Sequence, residues 1–142
     1  FEKGTSGTLA LLGDDDYPYA VPISYVYSDG KIYFHSATAG HKIDALKKCD
    51  KASFCVIDVD NVVSEEYTTY FRSAIAFGKI KIIENDAMKC SAIRALAEKY
   101  SFAHREGIEN EINREYKILT VIEMDIEHMT GKEAIELVRK RR

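Results

Sequence analysis

The stretch from Tyr19 to Tyr27, YAVPISYVY, constrains the fold more than any other part of the chain. Read as a strand, it sends Tyr19, Val21, Ile23, Tyr25 and Tyr27 to one face and Ala20, Pro22, Ser24 and Val26 to the other, because successive side chains alternate. A strand wet on one side shows polar residues at every second position. This one is apolar on both sides. A closed barrel buries one face; a partner subunit or a flat aromatic ligand is needed to cover the other. Pro22 cannot donate to a ladder and marks an edge or a bulge.

Five further stretches read as strands: 7–13, 31–36, 51–59, 67–84 and 117–129. Asp29-Gly30 tolerates positive φ and predicts a tight hairpin between Tyr27 and Lys31. The run 67–84 is long for one strand, and Gly78 within it predicts a bend or bulge. In 117–129, Ile122, Met124 and Ile126 alternate with Glu123, Asp125 and Glu127, which predicts one buried and one wet face. Helices are expected at 40–49, with Ile43, Leu46 and Cys49 inward, and after Asn85, a good N-cap, with Ile93, Leu96 and Tyr100 on one face. A weaker helix spans 103–116. Thr130 and Glu133 fit a capping box opening a last helix. The tally is a mainly β (α+β) fold of six antiparallel strands with peripheral helices.

A chain of 142 residues, 46% of them apolar, suits a single domain over 1–142. The formal net charge of −3 provides no general attraction to nucleic acid or an anionic membrane. The terminal RKRR reads as a last helical turn complementing the helix dipole. No apolar run approaches the roughly 18 residues of a membrane helix. The first residue is Phe1, which reads as a trimmed or processed start. Cys49, Cys55 and Cys90 are widely spaced, without a CxxC pair, and read as small buried thiols in a reducing cytoplasm. His35 and His41 alone make no zinc site.

The segment YFHSATAGHKIDALKK, 33–48, places cations where a helix begins. That end of the helix dipole is already positive, so His41 and Lys42 belong there only beside an anion. Free N–H groups at the helix start, close backbone approach at Gly40, the Lys42 charge, the Ser36 hydroxyl and a ring nitrogen of His35 or His41 together form a phosphate cradle. It is not a P-loop, because GxxxxGK[ST] is absent. The competing reading is an exposed helix end with solvated side chains. Tyr19, Tyr25, Tyr27 and Tyr33 read either as cross-strand packing or as a slot for a planar ring, with Ser24 and Ser73 as polar contacts. A phosphate at one end and a flat ring along the strands describe a phosphorylated aromatic cofactor.

These residues carry a family resemblance. GTLA at 7–10, DYPYAVP at 16–22, IYFHSA at 32–37 and GHK at 40–42 resemble the FMN-binding split-barrel superfamily that includes pyridoxamine 5'-phosphate oxidase. Within it, the branch of the 5-nitroimidazole resistance (Nim) proteins is nearest; YFRSAIAFGKI and EHMTGKEAIEL also resemble that branch. Asp16 departs from its usual glycine. The resemblance implies a six-stranded split β-barrel forming a homodimer, with FMN at the subunit interface. It implies that Lys42 and Ser36 bind the FMN phosphate, with His35 and His41 nearby. Ile23, Ser24 and Tyr25 line the isoalloxazine, and Ser73 with Arg72 approaches from the long strand. The implied activity is an FMN-dependent oxidoreductase passing electrons from NAD(P)H to a small nitroaromatic or quinone-like acceptor. A non-catalytic FMN carrier or sensor is the alternative, as is a haem or deazaflavin protein of the same fold. The basic substrate residues of the oxidase subgroup are not matched, which counts against pyridoxamine phosphate oxidation.

Overall fold

The computed structural model describes residues 1–142. Seven strands form one antiparallel sheet in the order β2-β1-β5-β6-β7-β4-β3. They are β1 (Gly7–Leu12), β2 (Pro18–Ile23), β3 (Val26–Ser28), β4 (Lys31–Ala37), β5 (Lys51–Val63), β6 (Thr68–Ile82) and β7 (Leu119–Glu133). Four α-helices lie outside it: α1 (His41–Lys48), α2 (Asp86–Tyr100), α3 (Ile108–Glu115) and α4 (Ile135–Arg141). The two edge strands, β2 and β3, are separated in the chain only by Ser24 and Tyr25. The sheet must therefore curl until its edges meet, which makes a barrel split where β2 and β3 do not pair.

This closure corrects the count of six strands. The run 19–27 is not one strand but β2 and β3, broken at Ser24-Tyr25 where the chain passes from one edge to the other. The backbone there bonds to α2 instead of a ladder: the Tyr25 N–H donates to the Tyr100 hydroxyl at 2.9 Å, and the Tyr25 carbonyl accepts from Lys99 Nζ at 2.8 Å. The hairpin after β3 forms as expected, with Asp29 at φ 49° and Gly30 at φ 79°.

The barrel core holds Leu9, Leu11, Tyr25, Ile32, Phe34, Phe54, Ile122 and Met124, closed at one side by Ile43 and Leu46 of α1. Phe54 is its hub, edge-on to Tyr25 at 4.9 Å and to Phe34 at 5.1 Å between ring centroids. A second cluster, Ile83, Ala92, Ile93, Ile108, Ile112 and Val121, seats α2 and α3 on the outside of the sheet. The α2 N-cap is the expected one: Asn85 Oδ1 accepts from the Met88 N–H at 3.0 Å. The segment 103–116 divides near Gly107 into a 3-10 stretch and α3.

Three expectations are overturned. The capping box at Thr130 does not form, because β7 continues to Glu133. Residues 130–133 pair with Arg72–Ile75 of β6, so ladder hydrogen bonds hold them extended, and α4 starts after Ala134 without a side-chain cap. Glu123 is not on a wet face: it is 1% exposed. Lys31 Nζ at 3.4 Å and Lys81 Nζ at 3.7 Å reach its Oε1, while Oε2 has no partner. The cysteines are half-buried rather than buried, and all are free; Cys49 caps the end of α1 and Cys55 lies on the outward face of β5.

Candidate functional site

The start of α1 keeps the geometry that its sequence suggests. Gly40 is the N-cap, at φ 136° and ψ −177°, a conformation open essentially to glycine alone. No side chain caps the helix, so its first N–H groups stay available as donors. A Cβ at Gly40 would meet nothing within 4 Å, so the space beside the cap residue is open and the glycine is required by its φ and not by crowding. Lys42 is half-buried and takes part in no ion pair. Open donors, a positive dipole end and an unneutralised ammonium suit a phosphate.

His41 is placed differently. Its ring stacks on Tyr19 at 4.0 Å between centroids and 18° between planes. Its Nε2 lies 3.9 Å from Asp14 Oδ2. Asp14 also accepts from Lys48 Nζ at 3.1 Å, and this hydrogen bond and the Lys48 charge hold its carboxyl below the usual carboxylate range. His35 and Ser36 enter the loop toward α1, but alternation separates them: Ser36 is buried and His35 exposed. The two do not act on one ligand from the same side of β4.

Tyr25 stands in the core with no exposed surface. Its hydroxyl donates to the Phe1 carbonyl at 2.6 Å, and Lys99 Nζ lies 3.8 Å from its ring centroid. Its ring is packed among Phe1 and Phe54 rather than open as a slot. Burial, and then the nearby Tyr100, push the Tyr25 phenol up to about 12 from an ordinary 10. The sign follows: the unfolded chain releases this proton first, so the contribution is complete below pH 10 and fades as pH rises toward 12. The stability of the wild-type chain, read as urea midpoint against pH, is therefore expected to slope down through that window, and Tyr25→Phe to flatten part of the slope.

Arg72 and Ser73 lie elsewhere. They line a cleft of about 1000 Å³ between the N-terminal segment Phe1–Ser6, the middle of β5, the first half of β6 and the end of β7. The Arg72 guanidinium bridges Asp58 at 2.8 Å and Glu133 at 3.1 Å, and these carboxylates push its pKa up. Ile23 pairs with Gly7 at this same end of β1, whereas His41 sits beside Gly13 at the other. The two ends of β1 are about 17 Å apart at 3.4 Å per residue. The structure thus gathers Ile23, Ser24, Arg72 and Ser73 at one end and Lys42 and His41 at the other. The cleft was not legible in the sequence, because its N-terminal wall has no regular pattern. No group of three or more His, Cys, Asp or Glu side chains is placed to hold a metal ion.

A seven-stranded split barrel with an anion-receptive helix start defines the class of protein. The chain belongs to the pyridoxamine 5'-phosphate oxidase family, whose profile matches residues 1–133. Among solved structures, a conserved hypothetical protein from Mycobacterium tuberculosis superposes with TM-score 0.81 at 18% identity, over 96% of this chain and 82% of that one. An FAD- and haem-binding protein from Mycobacterium smegmatis gives TM-score 0.75 at 22% identity, over 98% and 73%. A candidate 5-nitroimidazole antibiotic resistance protein from Bacteroides thetaiotaomicron gives 0.72 at 21%, over 91% and 76%. At these identities the likeness is one of fold. No curated protein sequence matches the chain.

Proposed function

We propose that the protein binds FMN and works as an oxidoreductase, taking electrons from NAD(P)H and passing them to a small nitroaromatic or quinone-like acceptor. The observation that carries the reading is the α1 start, where an uncapped helix, Gly40 and an unpaired Lys42 suit the phosphate. A flavin supplies the hydride and electron chemistry when bound; the chain binds and orients it. Lys42 and the α1 N–H groups hold the anionic end, while Ile23, Ser24 and Ser73 stand one strand length away, a span suited to an elongated cofactor. Family membership and the flavin-binding relative of the same fold support the flavin; fold alone does not choose the acceptor.

The reading includes one domain over 1–142, in the cytoplasm, forming a homodimer. Cys55 and Ile57 of β5 pair with Ile75 and Ser73 of β6, so they share the outward face. Ile57 is 65% exposed and Phe77 39% exposed. A second copy would cover this surface. Sedimentation at micromolar concentration is expected to give a dimer, and Phe77→Glu a monomer that still folds.

The test is the visible spectrum of the purified protein with added FMN, then anaerobic NADPH or NADH. A bound flavin that bleaches supports the oxidoreductase. A bound flavin that stays oxidised favours a carrier or sensor. Failure to bind FMN, or a Soret band, overturns the reading.

A further inference from the structure

The split leaves β2 and β3 as unpaired edges, and the chain crosses between them at Ser24-Tyr25. No ladder holds this crossing. The end of α2 holds it instead, through Lys99 and Tyr100. The Tyr100 hydroxyl accepts from the Tyr25 N–H at 2.9 Å. Its oxygen also lies 2.7 Å from the Tyr25 carbonyl and 2.5 Å from the Thr5 carbonyl. A hydroxyl has a single proton to donate. Lys99 Nζ, 2.8 Å from the Tyr25 carbonyl, already serves that acceptor, which leaves the hydroxyl proton for Thr5. The Lys99 ammonium lies 3.8 Å from the Tyr25 ring centroid and 5.3 Å from that of Tyr100, and both rings favour its charge. One side chain of α2 thus ties the seam of the barrel to the N-terminal segment, across 75 and 95 residues of chain.

The bond fixes more than Tyr25. The Ser24-Tyr25 peptide is trans, so its N–H and its carbonyl point in opposite directions. With the N–H held on Tyr100, the Ser24 carbonyl faces away from α2. Neither the N–H nor the carbonyl of Ser24 bonds to another backbone group, so Tyr100, and not a ladder, sets the direction of this acceptor. The structure assigns to Tyr100 the role of a positioning residue: it aims the Ser24 carbonyl as an acceptor for a ring N–H of the bound cofactor. An oxidised isoalloxazine carries a single N–H, on its pyrimidine ring, and a free carbonyl is the matching partner. Thr5 lines the cleft, so the same hydroxyl also holds part of the cleft wall. The role toward the ring rests on the flavin reading above; the latch between α2 and the seam does not.

The experiment compares the full chain with Tyr100→Phe, which keeps the ring and deletes the hydroxyl, and with Lys99→Met. Without cofactor, hydrogen exchange read by NMR is expected to speed about tenfold at the Tyr25 amide in Tyr100→Phe, the effect of one lost hydrogen bond, while the Phe54 and Ile122 amides keep their rates. In Lys99→Met the Tyr25 amide keeps its acceptor, and a change below about twofold is expected. With isotope-labelled FMN bound, the ring N–H is expected to exchange with water about tenfold faster in Tyr100→Phe than in the wild type, while the phosphorus resonance of its phosphate stays in place. An unchanged Tyr25 amide in Tyr100→Phe would overturn the latch. A ring N–H that exchanges as in free FMN, or equally fast in both chains, would overturn the aiming of Ser24. If FMN does not bind the wild type, the flavin reading and the ring contact fall together, and amide exchange alone decides the latch.

Discussion

Lys42→Ala is expected to weaken FMN binding by about 10- to 150-fold, read from quenching of flavin fluorescence on titration. A hydrogen bond to a charged partner contributes roughly 1.5–3 kcal/mol, and each 1.4 kcal/mol is a factor of ten. The lysine sits in the first turn of α1, whose N-terminal N–H groups carry no side-chain cap. On the proposed reading a phosphate there would be held by backbone donors and by this one ammonium, so removing the charge would leave the donors and lose the strongest contact. Lys42→Arg is expected to retain most of the affinity, because the charge persists at the same turn. His41→Ala is expected to have a smaller effect, since the imidazole stacks on Tyr19 and faces Asp14. An unchanged dissociation constant in Lys42→Ala would remove this residue from the cradle.

Gly78→Ala is expected to lower stability by about 3 kcal/mol, the upper range for forcing extra atoms into a packed site. For a chain of this size that is a fall in Tm of about 6–12 °C. A Cβ at this position would lie 2.0 Å from the Asp125 carbonyl oxygen, 2.9 Å from its carbon and 3.1 Å from Ile126 Cα. All three are backbone atoms of β7, so no side chain can swing aside. The register between β6 and β7 slips at this point, with Phe77 opposite His128 and Gly78 opposite Ile126. The slip brings the strands into close contact, and only a residue without a side chain fits between them. Gly107→Ala is the control: a Cβ there meets nothing within 4 Å, and little change is expected. Equal melting temperatures for the two variants would contradict the close approach.

The bulge illustrates what could be read in advance. A glycine inside a long strand pattern has few explanations, and Gly78 was legible as a bend from the sequence. The hairpin at Asp29-Gly30, the Asn85 cap and the α1 start were legible for the same reason: each depends on the conformational or hydrogen-bonding preference of a few neighbouring residues. Glu123 was not. Its alternation with Ile122 and Met124 is that of a wet-face residue, and only the pairing of β7 with β4 and β6, which brings Tyr33 and Lys81 opposite it and Lys31 to its carboxylate, shows it as a buried one. Thr130 to Glu133 failed likewise, because a capping box and a strand can be written with the same residues, and pairing with Arg72–Ile75 decided between them.

The sequence by itself determined the local geometry of the α1 start, with Gly40 as its N-cap, and the demand for cover on both faces of the strands. It could not place Ser24 and Tyr25 at the seam of the barrel, because the break in 19–27 comes from closing the sheet and not from any residue preference within it. Nor could it show that Arg72 is bound between Asp58 and Glu133. Asp58 faces Arg72 across the β5–β6 hairpin, Glu133 is distant from both in the chain, and the three meet only where β5, β6 and β7 come together. Whether a charge is free to receive a ligand or already neutralised depends on its neighbours in space, and the fold alone supplies them.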